Sequence, residues 1–208
     1  NIANTTTTLN YTPTSSGTYD FRAEIKSGSC PSVYSTLTTI TVNPASVGGA
    51  VSGGTTPICL GSSTGNMTLG GHTGTVVRWQ RRVNAGGWSD ISNTTTTYND
   101  TPPSAGTWEY RAEVQSGVCT SAYSTPRAIV VTGPSVGGTI AGGTTPLCPG
   151  LSTGTMTLSG YTGAIVRWEK RVDAGLWSNI SNTTDTYSEI PSASGTWEYR
   201  AYVQNSPC

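Results

Sequence analysis

The sequence predicts an all-β protein made of repeated sandwich domains. Its composition, its aromatic content and an internal repeat lead to this fold class. Only 11% of the 208 residues are charged, and the formal net charge is zero. Strong helix formers are scarce, whereas 37 Thr and 25 Ser make up 30% of the chain. Six Trp and ten Tyr supply the large core side chains that disordered chains lack.

The same composition argues against several partners. No apolar run approaches the ~20 residues of a membrane-spanning helix, so no membrane span is expected. No basic excess would attract nucleic acid or an anionic membrane surface. We therefore expect neither nucleic acid nor a membrane among the partners of this chain.

A repeat of 89 residues organises the chain. Residues 46–119 align without a gap with residues 135–208, at 47 identities in 74 positions. Residues 1–44 match residues 90–133 at 24 of 44 positions. An 89-residue unit is the size of one β-sandwich domain. We expect three parts of a longer array: the C-terminal half of a domain at 1–44, a complete domain at 45–133, and a domain without its last strand at 134–208.

Seven strands are expected in the complete unit. The first is extended and Gly-rich, and the second is short and ends at Gly70. The third alternates clearly in polarity, and a turn at residues 84–87 leads to the fourth. The fifth is rich in β-branched Thr, and the sixth alternates again before the last strand closes the unit. The expected strands are residues 46–54, 67–69, 76–83, 88–91, 94–98, 107–115 and 123–132.

Alternation assigns the faces of the two longest strands. In the third strand, one face should carry Val77, Trp79, Arg81 and Val83. The opposite face should carry Val76, Arg78, Gln80 and Arg82. In the sixth strand, the inward residues should be Trp108, Tyr110, Ala112 and Val114. If the two strands are neighbours, Arg78 and Arg82 can face Glu109 and Glu113 on the solvated side.

Seven short strands separated by turn residues are typical of an immunoglobulin-like sandwich. Trp79 stands where such folds place a core Trp on the third strand. Tyr110 stands two residues before the usual second Cys of the sixth strand, a position that Ala112 occupies here. With their copies one repeat later, the core signature is Trp79, Tyr110, Trp168 and Tyr199.

The cysteines occupy fixed positions of the repeat, which favours disulfides and an oxidising, extracytoplasmic location. They are Cys30, Cys59, Cys119, Cys148 and Cys208. Pairing within a repeat would join Cys59 to Cys119 and Cys148 to Cys208. In a sandwich, however, Cys59 and Cys119 would lie at opposite ends. Opposite ends of neighbouring domains abut, so a bond between domains, such as Cys59 to Cys208, is the alternative.

The search for catalytic, cofactor or metal residues finds none. His72 is the only His, and Tyr161 replaces it one repeat later. The carboxylates are scattered, and neither a calcium pattern nor a phosphate-binding glycine motif is present. We therefore expect a protein that is not an enzyme and holds no cofactor.

Two surface hypotheses remain. Trp88 and Trp177 lie beside a turn and are candidate platforms for stacking sugars, or else they pack on the core edge or under an Arg such as Arg81. Several Asn-x-Ser/Thr triplets are candidate glycosylation sites, which would make the protein a glycoprotein. One such triplet recurs in all three copies, at Asn4, Asn93 and Asn182.

Four segments of the middle unit carry a family resemblance. Residues 58–63, 67–69, 77–79 and 110–119 resemble the tandem immunoglobulin-like repeats of very large surface proteins of Bacteroidota. These include gliding-motility adhesins and other cargo of the type IX secretion system. The resemblance implies a module that mostly acts as a stalk, and it carries over no catalytic or ligand residue.

These observations predict a secreted, extracellular structural segment at the cell surface, part of an adhesin stalk or filament. Its expected partners are neighbouring repeats of the same chain, other copies in a fibre, and surface glycans. A carbohydrate-binding accessory module of a secreted enzyme is the alternative. A repeated subunit of a polymer built from many chains is a third reading.

Overall fold

A computed structural model describes all 208 residues and contains nineteen β-strands and no helix. Strand pairing falls into three groups along the chain, within residues 17–42, 50–132 and 139–204. We refer to residues 1–44 as the N-terminal segment, 45–133 as the middle domain and 134–208 as the C-terminal domain. The predicted all-β class is confirmed.

The N-terminal segment forms two antiparallel pairs, β1 with β4 and β2 with β3. Its strands are β1 (Gly17–Phe21), β2 (Glu24–Ile25), β3 (Val33–Tyr34) and β4 (Thr38–Val42). These strands align in the repeat with the sixth and last strands of the middle domain, so the segment repeats the C-terminal half of that domain.

Two sheets face each other in the middle domain. One has the order β10-β7-β5, and the other has the order β6-β13-β11-β8-β9, with β12 also paired to β11. This is the immunoglobulin-like arrangement, in which strands of the two halves of the chain alternate between sheets. The strands are β5 (Ala50–Gly53), β6 (Ile58–Cys59), β7 (Met67–Gly70), β8 (Thr75–Val83), β9 (Ser89–Ile91), β10 (Thr97–Tyr98), β11 (Gly106–Gln115), β12 (Ala122–Tyr123) and β13 (Arg127–Thr132).

The C-terminal domain repeats this arrangement in two three-stranded sheets, β14-β15-β18 and β17-β16-β19. The strands are β14 (Thr139–Gly142), β15 (Met156–Ser159), β16 (Ala164–Val172), β17 (Ser178–Ile180), β18 (Thr186–Tyr187) and β19 (Trp197–Gln204). Predicted tandem immunoglobulin-like domains are thus found in the structure.

Aromatic side chains centre both cores. Trp79 and Trp168 are fully buried. Each indole N–H donates to a loop carbonyl at 2.9 Å, Trp79 to Thr95 and Trp168 to Thr184. Burying the indole polar group with a partner avoids the cost of an unpaired donor. Tyr98 packs on the ring of Trp79, with centroids 5.6 Å apart.

The predicted faces of the third strand are wrong at its start. Val76 is buried in the core, whereas Val77 is 39% exposed. The reason is a β-bulge: Glu113 pairs with Arg78 and Val114 pairs with Val76, so Val77 has no partner in β11. The extra residue reverses the alternation before Arg78, and the same bulge recurs at Val166.

Two further features differ from the expected strands. The parallel strand β6 was not predicted; it pairs with the end of β13. The expected last strand is divided into β12 and β13, with Pro126 between them. Proline lacks the N–H that a continuous ladder needs, so a break there is physically reasonable.

The turn after β8 tests the cost of left-handed backbone. Asn84 and Ala85 both have positive φ, at 48° and 57°, and Gly86 N donates to Val83 O. Such a turn favours Asn followed by Gly, because a Cβ is unfavourable at the second position. We expect Ala85→Gly to raise the free energy of unfolding by about 0.5–1 kcal/mol. Chemical denaturation of the middle domain measures this.

The matched control is Ala128→Gly, at an exposed position in β13. There the backbone is extended, so glycine should lower the free energy of unfolding by a similar amount. Equal losses for both variants would contradict the assignment of the turn.

Candidate functional site: the domain junction and the outer sheet face

A disulfide joins the middle and C-terminal domains. Cys59 and Cys208 are bonded, with Cα atoms 5.4 Å apart. Cys59 ends β6, beside Thr132 at the end of β13, where the chain leaves the middle domain. Cys208 follows β19 in the next domain. The bond therefore lies next to the linker that it spans.

Hydrogen bonds surround the same linker. The Asn205 side-chain amide donates to Gly133 O at 3.0 Å, and Leu60 N donates to Thr132 O at 2.9 Å. Cys208 Sγ lies 3.6 Å from Thr132 O. The C-terminal domain thus contacts the linker backbone as well as Cys59.

The disulfide corrects the pairing expected within a repeat. Cys59 bonds to Cys208 rather than to Cys119, and Cys30, Cys119 and Cys148 are free thiols. The reason is the geometry of the sandwich, which places β6 and the turn after β11 at opposite ends of one domain. The bond between domains, the alternative weighed above, is the one that forms.

The outer face of the larger sheet carries ion pairs. Arg82 Nε lies 2.7 Å from Glu109 Oε2, and Arg78 Nη2 lies 2.7 Å from Glu113 Oε2. These are the pairs expected from the sequence, and the β8–β11 register sets them opposite each other. Exposed pairs of this kind stabilise by about 0.2–1 kcal/mol, so they contribute mainly to register and solubility.

The C-terminal domain pairs its charges differently. Glu169 replaces Gln80 and accepts hydrogen bonds from Arg200 Nε at 2.6 Å and from Arg167 Nε at 2.8 Å. These guanidinium donors hold the pKa of Glu169 below its ordinary value, although the burial of Glu169 acts in the opposite direction.

Trp88 lies on the outer face against two guanidinium groups. The ring centroid is 4.5 Å from Arg82 Cζ and 4.0 Å from Arg111 Cζ. Trp177 contacts Arg171 and Arg200 in the same way, at 4.6 and 4.1 Å. The sequence suggested packing under an Arg such as Arg81, but the contacting residues are Arg82 and Arg111. The guanidinium groups cover ring surface that a stacked sugar would need.

A polar corner buttresses each core. Asp100 Oδ2 receives Arg81 Nη1 at 2.6 Å and the Tyr110 hydroxyl at 3.0 Å. Burial, and the nearby carboxylate of Asp100, raise the pKa of Tyr110, so it stays protonated and donates. Thr64, which is fully buried, exchanges two hydrogen bonds with the backbone of Asp100. Sequence reasoning missed Asp100 because its partners lie on three separate elements.

The corresponding corner of the C-terminal domain is built on Glu189. Lys170 Nζ lies 2.5 Å from Glu189 Oε2, and the hydroxyls of Tyr187 and Tyr199 donate to the same carboxylate at 2.8 and 2.9 Å. Burial and this hydrogen bond raise the pKa of Tyr187 to about 12. Burial alone would raise the pKa of Glu189, but the three donors outweigh it and lower that pKa.

The recurring sequon forms a closed hydrogen-bonded loop. Asn93 Oδ1 accepts from both N and Oγ1 of Thr95, and Asn93 Nδ2 donates to Thr97 O at 3.3 Å. The loops at Asn4 and Asn182 repeat these contacts. The same loop presents the Thr95 carbonyl to Trp79, so the sequon residues have a structural role. Glycosylation of Asn4, Asn93 and Asn182 stays a prediction.

Neither a metal cluster nor a membrane-spanning helix is found. No three His, Cys, Asp or Glu side chains lie close enough together to hold a metal ion. Since the chain forms no helix, none of its helices can be long and apolar enough to cross a membrane.

The Glu189 corner should make the C-terminal domain sensitive to acid. Its carboxylate is the favoured form in the fold, so the stabilisation is present above the ordinary pKa of 4.5 and is lost as the pH falls through the lowered pKa. Glu189→Gln should lower stability at pH 7 by about 1–3 kcal/mol and flatten the loss of melting temperature between pH 5 and about 3.

Calorimetric scans of both variants and the native chain across this pH range provide the test. Asp185→Asn is the control, since Asp185 is exposed and its side chain lies outside the network. An unchanged acid transition in Glu189→Gln would show that another group causes it.

The stacked Trp should stabilise the outer face. Trp88→Ala removes contacts with two guanidinium groups, each worth about 0.5–1 kcal/mol at a partly exposed site, so we expect a loss of about 1–2 kcal/mol. Denaturant titration measures it. The control Leu176→Ala removes a side chain that is 95% exposed and should change little. A glycan array on the native and Trp88→Ala chains tests sugar binding: a glycan signal lost in the variant would favour it.

Comparisons with known proteins place the repeat in a family. Among solved structures, the chain is similar to the crystal structure of the chicken CNTN1 FN1-FN3 domains, with 9% identity and a TM-score of 0.36. That match covers 91% of this chain and 71% of the other. No curated protein matches. The model of the family described as "Domain of unknown function (DUF8696)" matches residues 47–133 and again residues 136–208. Since these matches cover most of the chain, the protein belongs to the DUF8696 family, with two copies of its domain.

Proposed function

We propose that this chain is a structural segment of a stalk or fibre in a large extracellular surface protein, an adhesin or filament, and that it performs no catalysis. One observation carries the proposal: the Cys59–Cys208 bond joins two consecutive domains beside their linker. A bond at this place fixes the relation between domains, which is the property a stalk needs.

The linker contacts support this role. Strand β13 ends at Thr132 and β14 begins at Thr139, so few residues separate the two sheets. The carbonyl of Gly133 accepts a hydrogen bond from Asn205 of the following domain. A short linker that is bonded to the next domain on both sides permits little hinge motion, unlike a free polar linker.

Surface chemistry and redox chemistry agree with an extracellular setting. A disulfide is typical of proteins in oxidising compartments. The surface is rich in hydroxyl groups, and its few charges balance to zero. Together with the resemblance to repeats of Bacteroidota surface proteins, these features support a secreted spacer at the cell surface, with surface glycans or other copies as partners of the complete protein.

Force spectroscopy tests whether the junction carries load. The disulfide closes a loop of 149 residues in sequence separation, so stretching an oxidised chain from end to end can extend only the residues before Cys59. At ~3.4 Å per residue, the expected length is about 200 Å when oxidised and about 700 Å after reduction. The length is read from force–extension curves with and without a thiol reductant.

Two variants control this measurement. Cys59→Ser should extend fully with or without reductant, whereas Cys148→Ser should behave like the native chain because Cys148 is free. If the native chain reaches the same length before and after reduction, the bond does not carry load and the stalk proposal loses its main support.

A further inference from the structure

The three free thiols occupy the same repeat positions as the two bonded cysteines. Cys148 lies 89 residues after Cys59, and Cys119 lies 89 residues before Cys208, with Cys30 one repeat earlier. Each free thiol is therefore equivalent to one half of the observed bond. The partner of each would lie at a separation of 149 residues, outside the present chain.

The backbone presents Cys148 as it presents Cys59. Ser62 N donates to Cys59 O at 2.9 Å, and Leu151 N donates to Cys148 O at 3.2 Å. Both bonds close the same turn, since residue 151 is the repeat equivalent of residue 62. Cys148 is exposed on this turn, at the end of its domain that faces away from Cys208.

Cys119 is seated on its preceding linker as Cys208 is on the next. Cys119 Sγ lies 3.4 Å from Pro44 O and 3.8 Å from Asn43 O, while Cys208 Sγ lies 3.6 Å from Thr132 O. Thr132 is the repeat equivalent of Asn43. The two thiol positions thus have the same relation to two different junctions, and only one has a partner cysteine in reach.

A shared hydrogen bond fixes this seat at both junctions. Ser116 N donates to Ser46 Oγ at 2.9 Å, and Asn205 N donates to Ser135 Oγ at 2.8 Å. Ser46 and Ser135 are equivalent residues that begin their domains. The turn that carries the cysteine is therefore held against the start of its own domain, next to the linker, in each copy.

We propose that Cys148 and Cys119 are each one half of a disulfide between consecutive domains, so that arrays of this repeat carry one such bond at every junction. The cysteine after β6 in one domain bonds to the cysteine after the sixth strand of the next. Two thiols lose two protons and two electrons to form each S–S bond, and a disulfide oxidant takes the electrons by thiol–disulfide exchange. The proposal concerns the bond pattern and does not depend on the stalk function.

Such bonds would enclose the array in overlapping loops. Each loop spans 149 residues, whereas the repeat advances by 89, so consecutive loops share the difference of 60 residues. The shortest covalent path would advance one repeat by crossing a bond and returning through those 60 residues. A fully unfolded array could then extend to only about two-thirds of its backbone length at ~3.4 Å per residue.

Extending the chain by one repeat tests the proposal. Because Cys208 is the repeat equivalent of Cys119, a copy of residues 120–208 can follow Cys208 in phase. The native and extended chains are oxidised with glutathione disulfide, denatured, and labelled with N-ethylmaleimide, and their free thiols are counted by mass. Peptide mapping without reduction then identifies the bonded pairs.

We expect three free thiols in both chains, although the extension adds two cysteines, with Cys148 bonded to the appended copy of Cys208. Cys148→Ser in the extended chain should raise the count to four. Five free thiols in the extended chain would show that the second junction stays unbonded. One free thiol in each chain, with Cys148 bonded to Cys208, would show pairing within repeats. Either result overturns the proposal.

Discussion

The pairing of β8 with β11 is the constraint on which the rest of the middle domain depends. Its register sets Trp79 opposite Ala112, and both are fully buried, so the largest core side chain lies beside a small one. The same register sets Arg82 opposite Glu109 on the outer face. A slip by one residue would expose Trp79 and bury Arg82, so the core and the charged face reinforce each other.

This register extends to the junction through β13. One edge of β13 pairs with β11, and its last two residues pair with β6, which carries Cys59. In the next domain, β19 pairs with β16 in the equivalent register and leads to Cys208. The disulfide is therefore positioned by a central strand of each domain, and not by loops alone. Its two halves can meet because both domains have the same internal geometry.

The sequence predicted those features that depend on local pattern. Alternation identified the inward side chains of β11, and the repeat identified both domains. The bulge at Val77 was missed because it depends on how two strands pair, and single-strand alternation carries no such information. Strand β6 is two residues long, too short for a period to be recognised. The pairing of Cys59 stayed open because it depends on how whole domains meet, although the position of the bond between repeats was among the alternatives.

Differences between the two domain copies distinguish scaffold from ligand site. On the outer face, Gln80 becomes Glu169 and Glu113 becomes Tyr202, so a carboxylate moves from the sixth strand to the third while the charge of the face is kept. It still neutralises arginines, Arg78 in one copy and Arg167 in the other. A site that binds a ligand needs its polar groups in fixed places, whereas solubility and register need only balanced charge. The seat of the junction cysteine, in contrast, uses Ser46 and Ser135 in the same way in both copies. The part of the repeat that stays geometrically constant is the part that connects one domain to the next.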